Sequence, residues 1–184
     1  MNEIENRNPN LANTAETTHS DLLATMELVY KPCKLAYSQP LEETQNAEYG
    51  AYVFSLNGHS LRFRVAKITP TKVGQFVTLW ERVGKEPIQP YDLSNSVDFF
   101  VISTREGNNW GQFVFPKAVL YEQGVLSSGG KGGKRAIRVY PPWDQTTSKQ
   151  AQKTQTWQLK YFLEIPHEKP VDCDRAQLLY AKGE

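Results

Sequence analysis

The sequence predicts an α+β domain: a curved, mostly antiparallel, hairpin-rich sheet that could close into a barrel, packed with one long and several short helices. Two observations predict this class. Alternating apolar runs are joined by short turns rich in Gly and Asn, which is the pattern of antiparallel hairpins. Strand–helix–strand repeats, which would indicate a parallel sheet, are outnumbered by these hairpins.

The N-terminal residues differ in composition from the rest. Residues 1–18 are rich in Asn, Thr and Glu and poor in large apolar side chains, so we predict a mobile acidic and polar tail there. The remainder, residues 19–184, is predicted to form a single domain, because its length suits one core of ordinary size. A first helix is expected from about Ser20, capped by Ser20 or Asp21 and stopped by Pro32.

The clearest local signal is a hairpin. Two alternating runs meet at Asn57-Gly58, the favoured pair for a tight type I′ turn. The turn predicts three cross-strand pairs on the core face: Leu56–His59, Phe54–Leu61 and Tyr52–Phe63. Arg62 and Arg64 then share the opposite face, because side chains alternate along a strand.

The later elements follow from the same patterns. Further strands are predicted over Gly74–Trp80, Val97–Thr104, Trp110–Phe115 and Arg135–Tyr140. Further helices are predicted over Lys117–Gln123, Ser148–Glu164 and Arg175–Tyr180. The second and third of these strands form a hairpin around residues 107–109.

The two cysteines and the missing membrane signals indicate a compartment. Cys33 and Cys173 are far apart and have no CxxC spacing, so two reduced thiols are expected, with a disulfide as the alternative. The chain shows no signal-peptide pattern and no apolar run long enough to cross a bilayer. We therefore expect a cytoplasmic protein that does not associate with membranes.

The charge distribution is uneven along the chain. The formal net charge is only +1, yet residues 61–85 hold six basic residues and one acidic residue, and residues 129–160 hold seven and one. Residues 1–29 hold one basic residue and five acidic ones. Two basic segments are thus balanced by acidic residues elsewhere.

The second basic segment begins with a glycine-rich stretch, "SSGGKGGKRAIRVYPPWD", residues Ser127 to Asp144. It is neither a Walker loop nor a dinucleotide fingerprint, since the glycine spacing fails and a strand rather than a helix follows. One interpretation is a flexible, solvated loop. However, alternation in the strand leaves Lys134, Arg138 and Tyr140 on one face, which suits a phosphate backbone and a stacked base.

The long predicted helix carries a basic ridge. Lys149, Lys153 and Lys160 fall on one side of the helix, and no acidic residue is near them until Glu164. A solvated helix face more often mixes the two signs of charge in i,i+4 pairs. The ridge therefore favours a role in binding an anion.

Candidate catalytic groups are few. His59 and His167 fit exposed loop positions, and the common hydrolase, zinc-protease and deaminase motifs do not occur. The Asp/Glu-x-Lys triplet of many metal-dependent nucleases is also missing from the sequence. We predict no catalytic residue, no metal site and no cofactor.

Several long strings resemble the MepB family of bacterial proteins: "YGAYVFSLNGHSLRFRVAKITPTKVGQFVTLWER", "DFFVIS", "GQFVFPKAVL" and "GKRAIRVYPPWD", with "KQAQKTQTWQLKYFLEI" following. The resemblance covers about Tyr49 to Ile165. The family is named after a neighbouring multidrug-efflux operon, and membership implies no settled activity. It implies a single α+β domain similar in shape to DNA-binding domains associated with restriction enzymes.

Together these observations predict a non-catalytic module that binds nucleic acid, DNA rather than RNA, through a basic surface. The phosphate contacts are assigned to Arg62, Arg64, Lys67, Lys72, Lys131, Lys134, Arg135, Arg138, Lys149 and Lys153, with Tyr140 and Trp143 as stacking residues. Two alternatives stay open: an enzyme acting on nucleic acid or nucleotides, and a protein-interaction module. Strandedness and oligomeric state are also open.

Overall fold

A six-stranded sheet organises the computed structural model, which describes residues 18–181. The strands are β1 Leu41–Glu42, β2 Tyr52–Leu56, β3 His59–Val65, β4 Lys67–Ile68, β5 Gln75–Thr78, β6 Trp80–Glu81, β7 Gln89–Pro90, β8 Phe99–Glu106, β9 Asn109–Pro116, β10 Ala136–Val139 and β11 Phe162–Glu164. The helices are α1 Ser20–Thr25, α2 Lys117–Glu122, α3 Lys149–Gln158 and α4 Cys173–Tyr180. The predicted tail, except residue 18, lies outside the described residues.

The α+β class is confirmed, with one correction to the architecture of the sheet. The large sheet has the order β1-β2-β3-β8-β9-β11, and a smaller sheet has the order β10-β5-β4. Neighbouring strands are antiparallel in both sheets except β3 and β8, which run parallel. Among the described residues neither sheet closes into a barrel, so that expectation was wrong.

The hairpin at Asn57-Gly58 is confirmed in its register. The pairs Tyr52–Phe63, Phe54–Leu61 and Leu56–His59 lie opposite each other, as the two-residue turn predicts. Both turn residues have positive φ, 48° for Asn57 and 80° for Gly58, which a type I′ turn requires. The second predicted hairpin, β8–β9, is also present.

The predicted long helix is interrupted. Helix α3 ends at Gln158, a 3₁₀ turn covers Leu159–Tyr161, and β11 then pairs with β9. The Phe162 ring lies directly over Gly111, where a Cβ would come within 2.2 Å of Phe162 Cζ. Consecutive apolar residues at the end of this segment therefore point to opposite faces of a sheet, whereas the sequence had predicted that they lie on one face of a helix.

The N-cap of helix α1 is His19, one residue before the predicted cap Ser20. The His19 imidazole Nδ1 accepts a hydrogen bond from the backbone N–H of Asp21, at 3.1 Å. Asp21 is buried, and its carboxylate accepts hydrogen bonds from Ser103 and Arg105 instead. A π-helical turn over Met26–Tyr30 continues the helix toward Pro32.

The large sheet is buried on both faces. On the central strand β8, Phe99 packs into a cluster with Leu22 and Leu179 from helices α1 and α4. Its neighbour Phe100 packs into a second cluster with Val77 of the small sheet. The fold therefore has three layers: helices α1 and α4, the large sheet, and the small sheet with α3.

The expectation of reduced thiols was wrong, because Cys33 and Cys173 form a disulfide. The residues are 140 positions apart, but the end of the first helical segment and the start of α4 bring their Cα atoms within 4.9 Å. Disulfides are typical of oxidising compartments. The disulfide therefore removes one support for the cytoplasmic location, which stays a prediction.

Within the described residues, no helix is long and apolar enough to cross a membrane.

Candidate nucleic-acid interface

A groove runs between strand β10 and helix α3, with a cavity volume of about 420 Å³. We call it the basic groove, and its polar and charged lining consists mainly of Lys134, Arg138, Tyr140, Ser148, Gln150 and Lys153. Alternate residues 134, 136, 138 and 140 of the β10 segment line it, because every second side chain of a strand points the same way. Four of the predicted site residues therefore meet in one place.

The wall of the basic groove is held by one glutamine. Strand β10 is an edge strand of the small sheet. The Gln158 side-chain amide hydrogen-bonds to backbone groups on that edge. Its Nε2 donates to Arg138 O at 2.9 Å, and its Oε1 accepts from the Tyr140 N–H at 2.8 Å. An edge strand otherwise leaves such backbone groups unpaired. The glutamine thus sets the distance between helix and strand.

The start of helix α3 opens into the same groove. Ser148 caps the helix, and its Oγ accepts from the Ala151 N–H at 3.1 Å. Gln155 anchors the preceding turn, since its Nε2 donates to Pro141 O and Asp144 O, each at 3.0 Å. The positive end of the helix dipole therefore faces the groove and favours an anion there.

All charged residues that line the basic groove are positive. Lys134, Arg138 and Lys153 line it, and none of the residues that line it carries a carboxylate. Lys134 and Lys153 are exposed and take no part in the ion pairs seen within residues 18–181. Their charges are therefore available to a ligand.

Arg138 also stabilises the fold through hydrogen bonds of its guanidinium. Its guanidinium donates to Gly74 O at 3.2 Å and to Thr69 Oγ1 at 2.8 Å, so it ties the loop before β5 to strand β10. The Tyr140 ring lies against Gly74, where a Cβ would come within 2.6 Å of the ring. Tyr140 therefore separates the basic groove from a second cleft on the other side of Gly74.

This second cleft, which we call the Trp143 cleft, has a volume of about 530 Å³. Its lining includes Lys72, Gln75, Glu106, Trp143 and Asp144. Burial raises the pKa of Asp144 to about 6, and repulsion from Glu106 adds to this effect while a hydrogen bond from the Gly74 N–H opposes it. Two more of the predicted residues, Lys72 and Trp143, thus lie beside the basic groove rather than in it.

The glycine-rich stretch forms a defined turn rather than a loose loop. Ser128 and Lys131 exchange backbone hydrogen bonds of 3.0 and 3.1 Å, and the glycines between them have positive φ. Asp92 holds the turn by accepting from Ser127 Oγ at 2.9 Å and from the Gly130 N–H at 3.2 Å. Hydrogen bonds from Ser94, Gly130 and Ser127 hold the Asp92 pKa well below its ordinary value.

Four more predicted residues lie outside the lining of the groove. Lys131 and Arg135 are exposed in the segment that leads into β10, and Lys149 is exposed one helical turn before Lys153. Lys67 lies on the opposite edge strand of the small sheet, with its ammonium 4.5 Å from the centre of the Tyr49 ring. Lys131, Arg135 and Lys149 therefore lie close along the chain to lysines of the groove lining, whereas Lys67 lies two strands away from β10.

Arg62 and Arg64 do not belong to this surface. They share a strand face as predicted, and that face is covered by other residues. Arg64 is fully buried and, like Arg62, pairs with the Glu43 carboxylate. Arg64 also donates to Tyr91 Oη at 3.1 Å, and burial lowers the pKa of its guanidinium. Both arginines therefore stabilise the domain, and we leave them out of the proposed interface.

The predicted stacking role of Trp143 also changes. The indole packs edge-to-face against Phe162, with ring centres 5.9 Å apart, and is half-buried, so only part of it is open to a stacked base. Pro141 ends the strand, as the sequence suggested, and the following turn places Trp143 in its cleft.

Sequence reasoning missed the polar residues that build the site. Gln155 and Gln158 hold α3 against the β10 segment, Ser148 and Gln150 line the groove, and Gln75 lines the cleft. The three-residue spacing of the two helix glutamines puts them on one face, which was a usable signal. Nothing in the sequence indicated that Gln75 lines the Trp143 cleft.

The fold and the groove define an α+β protein with a basic cleft beside an edge strand. A family model described as MepB-like matches residues 43–164, more than half of the chain. The chain therefore belongs to the MepB-like family. A crystal structure of MepB is similar to it, with 34% sequence identity and a TM-score of 0.69, over 82% of this chain and 99% of that chain. No curated protein matches the chain.

Proposed function

We propose that the protein binds nucleic acid through its phosphate backbone, which lies in the basic groove. The observation that carries the proposal is a groove lined by Lys134, Arg138 and Lys153, without a carboxylate in its lining. Lysine and arginine contacts of this kind supply most of the sequence-independent affinity for nucleic acid.

The helix start and the surrounding lysines support the same proposal. The positive end of the α3 dipole lies at the groove, where it favours a phosphate oxygen. Lys131, Arg135 and Lys149 are exposed and lie within four residues along the chain of a lysine that lines the groove, so they supply further cations for neighbouring phosphates. Tyr140 offers a ring at the groove for a base.

The test is a binding titration by fluorescence anisotropy, with labelled single-stranded DNA, duplex DNA and single-stranded RNA of mixed sequence at several salt concentrations. The variant is the double substitution Lys134→Gln/Lys153→Gln. We expect about tenfold weaker binding than the wild-type protein at low salt. The slope of log K against log salt should become shallower by about 0.7 per lost contact for a single strand and about 0.9 for a duplex.

The matched control is Lys85→Gln/Lys169→Gln, which removes the same charge from two exposed loop positions outside the groove. The control should bind like the wild-type protein. Affinity that does not change with salt, or equal losses in the two double variants, would contradict the proposal.

The same labelled strands incubated with Mg²⁺ or Mn²⁺ test the enzyme alternative. Cleavage or modification of the strand by the wild-type protein would favour that alternative over a module that only binds. Within residues 18–181, no cluster of three or more His, Cys, Asp or Glu residues could hold a metal ion.

A further inference from the structure

Two of the cations assigned to nucleic acid, Lys131 and Lys134, belong to one short segment of the glycine-rich stretch. We call residues 127–134 the lysine limb. Lys134 lines the basic groove, and Lys131 is exposed in the turn three residues before it. The contacts that hold this limb therefore determine where the two charges lie.

Asp92 holds the limb with its side chain. Its Oδ2 accepts hydrogen bonds from Ser127 Oγ at 2.9 Å and from the Gly130 N–H at 3.2 Å. Its Oδ1 accepts from the backbone N–H and from the hydroxyl of Ser94, at 3.0 and 2.7 Å. All four donors are uncharged, and none of the ion pairs seen within residues 18–181 includes Asp92. The carboxylate thus joins the limb to the segment around residue 92 without neutralising a lysine.

The two ends of the limb are fixed by backbone hydrogen bonds. At its start, the Ser127 N–H donates to Tyr91 O at 2.9 Å, and Ser127 O accepts from the Leu93 N–H at 2.8 Å. At its end, the Lys134 N–H donates to Val125 O at 2.8 Å. These bonds do not reach the turn between the two ends.

The turn itself has a single tether. Ser128 and Lys131 bond to each other within the turn. Among the hydrogen bonds of the described residues, only that from the Gly130 N–H to Asp92 joins residues 128–132 to another part of the chain. The two central residues of the turn are glycines, which have more backbone freedom than other residues. The position of Lys131 therefore depends on Asp92.

We propose that Asp92 is a positioning residue of the nucleic-acid interface, because it holds the turn that presents Lys131 to a phosphate beside the basic groove. The inference rests on the proposed function and adds to it a residue that contacts no ligand. A turn that is already ordered loses less conformational entropy when it binds, so the same lysine contributes more affinity.

Charge and position make opposite predictions for Asp92. A carboxylate near a bound phosphate repels it, so charge alone predicts that the loss of Asp92 leaves binding unchanged or strengthens it. The loss of a positioning residue weakens binding instead. The sign of the change in affinity therefore separates the two effects.

The same titration of labelled strands tests Asp92→Ala, which removes all four hydrogen bonds. We expect about fivefold weaker binding at low salt, and a slope of log K against log salt that is shallower by about 0.7 for a single strand, the value of one contact. The matched control is Glu122→Ala at the exposed end of α2, next to Gln123 of the groove lining. It removes the same charge and should bind at least as tightly as the wild-type protein.

A double-mutant cycle shows whether Asp92 acts through Lys131. We expect Asp92→Ala and Lys131→Gln each to weaken binding, and the double variant Asp92→Ala/Lys131→Gln to bind no more weakly than Lys131→Gln alone. A residue that only stabilises the fold would not show this coupling, because its loss would add to that of the lysine.

Amide hydrogen exchange followed by NMR reports on the turn directly. We expect the Gly130 and Lys131 N–H groups to exchange faster in Asp92→Ala, with the amides of β8 and β9 unchanged. Asp92→Asn keeps the shape of the side chain and one acceptor oxygen, so it should show a smaller effect on exchange and on affinity. It replaces Asp92→Ala if that variant does not fold.

Binding by Asp92→Ala that matches Glu122→Ala, additive losses in the cycle, or unchanged exchange of the Gly130 N–H would each overturn the inference. If Lys134→Gln/Lys153→Gln binds weakly while Asp92→Ala binds like its control, the inference fails and the proposed function stands. If the wild-type protein shows no salt-dependent binding, the proposed function fails and the inference fails with it.

Discussion

Among individual residues, the environment of a charge decides what it does. Arg62 and Lys134 were predicted for the same role, yet Arg62 pairs with Glu43 under the aromatic ring of Tyr91, whereas Lys134 faces an open groove. The Glu43 carboxylate bridges Arg62 and Arg64, so both guanidinium groups share one counter-charge. A basic residue is available to a polyanion only where no carboxylate has already reached it.

We expect Glu43→Gln to destabilise the protein by about 3 kcal/mol, because it leaves the buried Arg64 guanidinium without its counter-charge. Urea unfolding followed by circular dichroism measures the change. Glu42→Gln, on the exposed β1 strand, should leave the midpoint unchanged. Equal midpoints for the wild-type protein and Glu43→Gln would show that the ion pair contributes little.

At the next scale, the functional unit is a strand and a helix joined by side chains. Helix α3 is mostly polar, and its two inward glutamines bond to backbone groups of the β10 segment and of the turn after it. These hydrogen bonds fix the distance between helix α3 and strand β10 and leave the space between them open. The basic groove is a consequence of that spacing.

We expect Gln158→Ala to reduce the free energy of unfolding by about 2 kcal/mol, since two partly buried backbone groups lose their partners. Polynucleotide affinity, measured at a temperature where the variant is folded, should fall as well, because the groove loses its spacer. Gln152→Ala, at an exposed position of the same helix, is the control. An unfolding midpoint and an affinity that both match the control would argue against this role of Gln158.

For the whole molecule, the disulfide joins the two ends of the described chain. Cys33 follows the first helical segment, and Cys173 begins α4, so both helices are held on one face of the large sheet. The basic groove lies beyond the other face, in the layer of the small sheet. The disulfide and the basic groove therefore lie in different layers of the fold.

We expect the substitution Cys33→Ser/Cys173→Ser to lower the free energy of unfolding by about 5 kcal/mol, because a cross-link over 140 residues strongly limits the unfolded chain. A reductant should lower the unfolding midpoint of the wild-type protein and leave that of the double variant unchanged. Alkylation of two thiols in the denatured, unreduced protein would show that the disulfide is not formed.

Features that depend on neighbouring residues could be predicted from the sequence, whereas features that depend on contacts between residues far apart in the chain could not. Asn57-Gly58 sets its hairpin through local backbone geometry, so the register was predictable residue by residue. The end of α3 was not predictable, because Phe162 joins a sheet where Gly111, fifty-one positions earlier, leaves room for its ring. The basic segment around β10 was likewise visible, whereas the burial of Arg64 was not.

Local order along the chain thus specified the strands, the turns and the positions of the cationic residues. Tertiary contacts alone settled which cations remain free and which are neutralised, and they assembled the Trp143 cleft from three separate segments. The physical reason is that backbone preferences act over a few residues, while solvation and charge pairing depend on neighbours that only folding brings together.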